Sequence, residues 1–156
     1  MKIVSIATSR KKGTVKKQVS SVKLLENHGI AGDAHAGQWH RQVSFLAAES
    51  IAGAKESGLD VGFGDFAENI ATTGIDWVSV PVGTRFRLGE KAQVEITQIG
   101  KECHKRCAIY YKAGDCIMPR EGVFARVLKG GRIACGDTIE RLAAKTGSGS
   151  RGRDQA

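Results

Sequence analysis

The stretch Trp77–Ile99, WVSVPVGTRFRLGEKAQVEITQI, decides the fold. It breaks into Trp77 to Val82, Thr84 to Leu88 and Gln93 to Ile99, each apolar or alternating, with Pro81-Val82-Gly83 and Gly89-Glu90 between them. Runs of this length with period-two patterning and turn residues at their ends read as a meander of β-strands. Working outward, Lys2 to Thr8 (Ile3, Val4, Ile6) and Thr14 to Leu25 (Val15, Val19, Val22) read as strands joined by the turn Ser9 to Gly13, and Ile133 to Leu142 returns to strand. Between these lie segments with helical character. Ser44 is placed to cap a helix running to about Ser57, with Leu46, Ile51 and Ala54 on one side and Gly58 as terminator. Asp65 is placed to cap a short helix through Asn69 to about Thr73, and Glu121 to Lys129 carries Val123, Val127 and Leu128 at helical spacing. Short strands without regular βα alternation predict a mainly β fold: a closed or partly closed, mostly antiparallel β-barrel with a few short peripheral helices.

The 156 residues suit one domain, expected over 1–142, and the tail 143–156, ending GSGSRGRDQA, has no apolar run to bury and is expected to stay disordered. Twenty glycines against two prolines point to tight turns and close backbone approaches rather than long helices. No apolar run approaches the roughly 20 residues of a membrane span, and the N-terminus has no secretory pattern, so the expected location is the cytoplasm with no membrane partner.

The net charge of +8 is unevenly placed. Residues 1–25 hold seven Lys or Arg and no acid, and 101–112 hold Lys101, Lys105, Arg106 and Lys112 against Glu102. Such a balance suits an anionic partner. Few aromatics interleave the cations to stack on bases, which argues against nucleic acid and for a solvated strand face at the N-terminus.

Two segments carry candidate chemistry. The first is GKECHKRCAIYYKAGDCIMPREG, residues 100–122, with Cys103, Cys107 and Cys116. A cytoplasmic chain of this size needs no disulfides, so reactive or metal-binding thiols are at issue. A thiol acts as its thiolate, and Lys101, His104, Lys105, Arg106, Lys112 and Arg120 would lower its pKa where they converge on it. Cys103, His104, Cys107 and Cys116 have the right types for zinc, but the spacing lacks the paired knuckles of structural sites. Cys107 before Ala108-Ile109 can also be read as a buried small hydrophobe, and Cys135 between Ala134 and Gly136 reads as core.

The second segment, GDAHAGQWHRQ, gathers Asp33, His35, His40 and Arg41 in a glycine-flanked loop able to present imidazoles, a guanidinium and backbone N–H groups to a phosphate or metal-oxo group. The alternative is that Asp33 and Arg41 pair to hold the loop while the histidines face solvent. Glu68-Asn69 adds a carboxylate and an amide that can orient a ligand or, alternatively, hydrogen-bond within the core.

The ordered series GDAHAGQWHRQVSFLAAESI, GDFAENIATTGI, PVGTRFRLGE with VEITQIGKECHKRCAIY, and CIMPREGVFARVLKGG with CGDTIERL resembles single-domain MOSC proteins, named for the C-terminal domain of molybdenum-cofactor sulfurase. The resemblance covers about residues 1–142. It implies a β-barrel fold, binding or handling of a molybdopterin-type molybdenum cofactor, and a cysteine that carries sulfur as a persulfide. The family pattern falls on HKRCAIY and places that cysteine at Cys107, with Cys103 and Cys116 as further candidates. With a cofactor of this kind, the residues expected to bind it, by their types and positions in these segments, are Asp33, His35, His40, Arg41, Glu68, Asn69, Lys101, His104, Arg106 and Arg120. A second reading is a non-catalytic cofactor-binding or insertion module in which Cys103 and Cys107 ligate molybdenum or tungsten. The implied partners are molybdenum- or tungsten-cofactor enzymes or cofactor-biosynthesis proteins. The pyridoxal-phosphate domain of the sulfurases has no counterpart in this sequence, so a separate cysteine desulfurase is expected to supply the persulfide.

Overall fold

The structure is a computed structural model that describes residues 1–100, 117 and 121–143. The described residues form eleven strands: β1 Lys2–Thr8, β2 Lys17–Val19, β3 Ser21–Leu25, β4 Gly29–Ile30, β5 Val43–Ala47, β6 Ile70–Thr73, β7 Arg85–Leu88, β8 Ala92–Ile99, β9 Val123–Lys129, β10 Gly131–Ala134 and β11 Ile139–Arg141. Helix α1, Ala48–Glu56, lies between β5 and β6 in the chain, and a 3-10 turn spans Trp77–Ser79. Eight strands form one sheet in the order β11-β7-β8-β9-β5-β6-β1-β2, and β10-β3-β4 form a second. Every pairing is antiparallel except β5 with β6, which α1 makes parallel by crossing over.

The large sheet is not closed. Among the described residues its first strand meets the stretch before β11 at an isolated bridge between Lys2 and Thr138, with Ile3 N–H donating to Asp137 O at 2.9 Å, Gly136 N–H to Ile3 O at 2.7 Å and Ile139 N–H to Met1 O at 2.9 Å. The mainly β, mostly antiparallel expectation therefore stands, while the closed or partly closed barrel is not confirmed, since neither sheet closes among the described residues.

The strands form where alternation is cleanest. In β8, Ala92, Val94 and Ile96 are fully buried, and in β7 Phe86 and Leu88 point inward while Arg85 and Arg87 point out. Trp77 centres the main core, 5.0 Å from the Phe45 ring and 5.2 Å from Phe86, and its indole N–H donates to Thr72 Oγ1 at 2.7 Å.

Three helical expectations are corrected. Ser44 is no cap: it lies inside β5, all of whose residues are buried, because β5 is hydrogen-bonded between β6 and β9 with apolar layers on both faces. Phe45 enters the main core and Leu46 a second cluster against Ile51 and Ala54 of α1. A run buried on two sides loses the period-two signal, which leaves it open to a helical reading. The helix does end as read, with Ser57 at its C-cap and Gly58 at φ +107°. Of the run Glu121 to Lys129, the part Val123–Lys129 is likewise strand: Val123, Ala125 and Val127 line the main core, Phe124 the other cluster, and Arg126 is exposed. Asp65 starts a turn, its carboxylate accepting from Gly62 N–H at 2.8 Å, and Ile70–Thr73 is β6.

Two smaller corrections follow. Trp77 to Val82 is a 3-10 turn and a loop instead of a strand. Cys135, read as core, is exposed in the turn after β10, its thiol 3.7 Å from Val19 O. The expected disordered tail lies outside the described residues from 144 onward.

Candidate functional site

The histidine loop between β4 and β5 is built around a buried carboxylate. Asp33 accepts from Ser9 N–H at 3.0 Å, His35 N–H at 3.0 Å and Lys16 Nζ at 2.8 Å. Burial pushes this carboxyl up, but the Lys16 ammonium and the two backbone donors outweigh it and hold the pKa below the ordinary value. Lys16 Nζ also donates to Ser9 Oγ at 2.9 Å, and Ala34 N–H donates to Ser9 O at 2.8 Å. The β1–β2 turn is thereby tied to the loop, which brings Lys12 onto Trp39, its Nζ 4.4 Å from the ring centre. The alternative in which Asp33 pairs with Arg41 is corrected: the partner is Lys16.

His35 is buried, with Nδ1 3.8 Å from Asp33 Oδ2, and its carbonyl accepts from the Trp39 indole N–H at 2.7 Å. Arg41 lies over two rings, its Cζ 4.8 Å from Trp39 and 5.6 Å from Phe124. Its Nε is buried and has no hydrogen-bond partner among the described residues. Two cations thus converge on one indole, each gaining cation–π attraction while repelling the other. Neither Lys12 nor Trp39 was singled out from the sequence as a site residue, because the contact joins positions far apart in the chain.

His40 is exposed and its Nε2 lies 2.9 Å from Gln98 Oε1 at the end of β8. Gln98 Nε2 donates to Gly100 O at 2.8 Å, and Gly100 N–H donates to Gly122 O at 2.7 Å. The hydroxyl of Thr97 bonds to His40 O and, at 3.2 Å, to Phe124 O. The histidine loop therefore abuts both ends of the segment carrying the cysteines. Lys101, Cys103, His104, Arg106, Cys107, Cys116 and Arg120 lie outside the described residues.

Glu68 and Asn69 are placed differently. Both are 1% exposed. The Glu68 carboxylate accepts from Gly64 N–H and, at 3.1 Å, from Phe66 N–H, and burial raises its pKa to about 7. Asn69 Oδ1 accepts from Ser44 N–H at 3.0 Å and Ser44 Oγ at 3.2 Å, while Nδ2 donates to Ala7 O at 3.1 Å. The amide therefore links β5 to β1 just where β6 enters between them. Both side chains are committed to backbone. No cluster of three or more metal-ligating side chains occurs among the described residues, and no described helix is long and apolar enough to cross a membrane.

No curated protein sequence matches the chain. Among solved structures, the YUAD protein from Bacillus subtilis is 20% identical with a TM-score of 0.74, over 90% of this chain and 94% of that one. YiiM from Geobacillus stearothermophilus is 21% identical with a TM-score of 0.69, over 91% and 75% of the two chains. YiiM from Escherichia coli is 22% identical with a TM-score of 0.65, over 92% and 70%. These likenesses show a shared fold. The sequence model of the MOSC domain matches residues 32–140, from the histidine loop through β11, and the chain belongs to the MOSC domain family.

Proposed function

We propose that this protein binds a molybdopterin-type molybdenum cofactor and carries sulfur on a cysteine of segment 100–122, with Cys107 as the carrier. The observation that supports the reading is the run of hydrogen bonds from His40 through Gln98 to Gly100, which sets the cation-rich loop beside the root of that segment. The residues present suit a phosphate-bearing ligand. Arg41 has a buried N–H without an acceptor among the described residues, and Lys12 shares its indole, so a bound oxyanion would satisfy the first and relieve the repulsion between the two. Arg41, Lys12 and His40 would hold the ligand, and the Asp33–Lys16 pair would fix the loop that presents them. The cofactor, when bound, supplies the metal that receives sulfur.

The chain's own chemistry is thiol exchange. The Cys107 thiolate attacks the outer sulfur of a persulfide on a separate cysteine desulfurase; a new S–S bond forms on Cys107, the donor's S–S bond breaks, and the donor leaves as a thiolate without net oxidation. Cys103 and Cys116 are the further candidates for the carrier. Recipients are molybdenum- or tungsten-cofactor enzymes in the cytoplasm.

Mass spectrometry of protein from cells tests the reading. A one-sulfur mass gain, mapped to Cys107 and lost in Cys107→Ser, is expected. Metal co-purifying with unmodified thiols would instead favour the cofactor-binding module with Cys103 and Cys107 as ligands.

A further inference from the structure

The three-stranded sheet carries an open groove of about 500 Å³ that the cofactor reading does not use. Ser21, Val22 and Lys23 of β3 line it, with Gly131 and Arg132 of β10 and Lys91 from the β7–β8 turn. Lys23 and Arg132 stand directly opposite each other across the β3–β10 ladder. Like charges so placed weaken a sheet. No ion pair among the described residues involves Lys23, Lys91 or Arg132, although Glu26 and Glu90 are close in sequence. Arg132 is nevertheless oriented, its Nη2 donating to Ser21 Oγ at 2.9 Å. Gly131 lets the Lys91 stem lie against the strand, since a Cβ there would sit 3.0 Å from Lys91 Cγ and 3.3 Å from Ala92 N.

We propose that this groove binds a compact multivalent oxyanion of the pyrophosphate type. Arg132 supplies a pre-oriented fork of donors, and Lys23 and Lys91 supply point charges. The concavity favours a small ligand over a flat protein surface, and the absence of carboxylates leaves its charge uncancelled. Occupancy would remove the cross-strand repulsion that the empty sheet carries.

Isothermal titration with pyrophosphate at fixed ionic strength tests this. One saturable site is expected, weakened about tenfold in Lys23→Gln and in Arg132→Gln, as loss of a charge-assisted hydrogen bond requires. Lys55→Gln, at the far end of α1, is expected to bind as the unaltered chain does. Lys23→Gln should also raise the melting temperature without ligand, a readout that holds if Arg132→Gln folds poorly. ADP in place of pyrophosphate separates a nucleotide-borne from a free anion, and binding of either supports the site. Equal weakening in Lys55→Gln, absence of saturation, or binding of only an oligonucleotide or poly-glutamate would overturn it. Arg41→Lys should leave this binding intact, so failure here and failure of the cofactor reading are separable.

Discussion

Lys16 Nζ lies 2.8 Å from Asp33 Oδ1 with both side chains at 0% exposure, so one ion pair sealed from water joins the β1–β2 turn to the histidine loop. Desolvating two charges costs several kcal/mol, which the pair and its backbone donors offset only while both partners remain. Asp33→Ala is expected to destabilise by about 3 to 5 kcal/mol because it removes the carboxylate that balances a buried ammonium. Lys16→Met combined with Asp33→Leu should recover much of that loss. Urea unfolding of the two variants measures both, and a single variant within about 0.5 kcal/mol of the unaltered chain would contradict the argument.

Glu68 should make stability fall with rising pH. Its folded pKa is raised from 4.5 to about 7, so the folded state holds a proton that the unfolded state has released between those values. The contribution is full below about pH 4.5 and is lost as pH rises through about 7, amounting to about 3 kcal/mol at 1.36 kcal/mol per unit. Glu68→Gln removes this slope. Asp33 acts in the opposite sense, its contribution disappearing as pH falls through its lowered pKa. Unfolding free energies of the unaltered chain and of Glu68→Gln from pH 4 to 8, a range chosen to bracket the value of about 7, should lie close together at low pH, where Glu68 is as uncharged as glutamine, and separate at high pH, where the unaltered chain holds a buried carboxylate and is the less stable.

Asn69→Ala is expected to cost about 3 kcal/mol, because it leaves Ser44 N–H and Ala7 O buried without their partner. Thermal unfolding reads the loss. Asn69→Asp should be nearly as damaging, since its carboxylate cannot donate to Ala7 O.

Cys135→Ser should change stability by less than about 0.5 kcal/mol, since the thiol is exposed in a turn. Iodoacetamide is expected to label Cys135 in the folded protein at the rate of a free thiol. Protection of Cys135 until unfolding would return it to the core.

The sequence announced strands best where one face meets water. In β7 and β8 the alternation of arginine, glutamine and glutamate with buried apolar residues makes the period visible. It hid β5 and β9, whose neighbours in the sheet and two apolar layers make both faces apolar, so that Val123 and Val127 match helical spacing as well as they match a strand. The candidate site was legible as a list and illegible as a network. Asp33, His35, His40 and Arg41 stood out by type and proximity, but the partner of Asp33 lies seventeen residues away on another turn, and it is the turn held by that pairing that brings Lys12 to Trp39. Glu68 and Asn69 were visible for the same reason that catalytic residues are, being polar groups in an apolar stretch; their hydrogen bonds to backbone give them their place.

The bridge between Lys2 and Thr138 sets an order on folding. The partners of Ile3 N–H and of Met1 O are Asp137 and Ile139, so the first strand cannot complete its contacts until nearly all of the described chain has been synthesised. Contacts of such sequence separation slow folding, because the loop between them must close before they contribute. The unit β5–α1–β6 requires only residues 43–73, and β1 and β2 can add to it at β6, so that what waits for the end of the described chain is the link of β1 to residues 137–139.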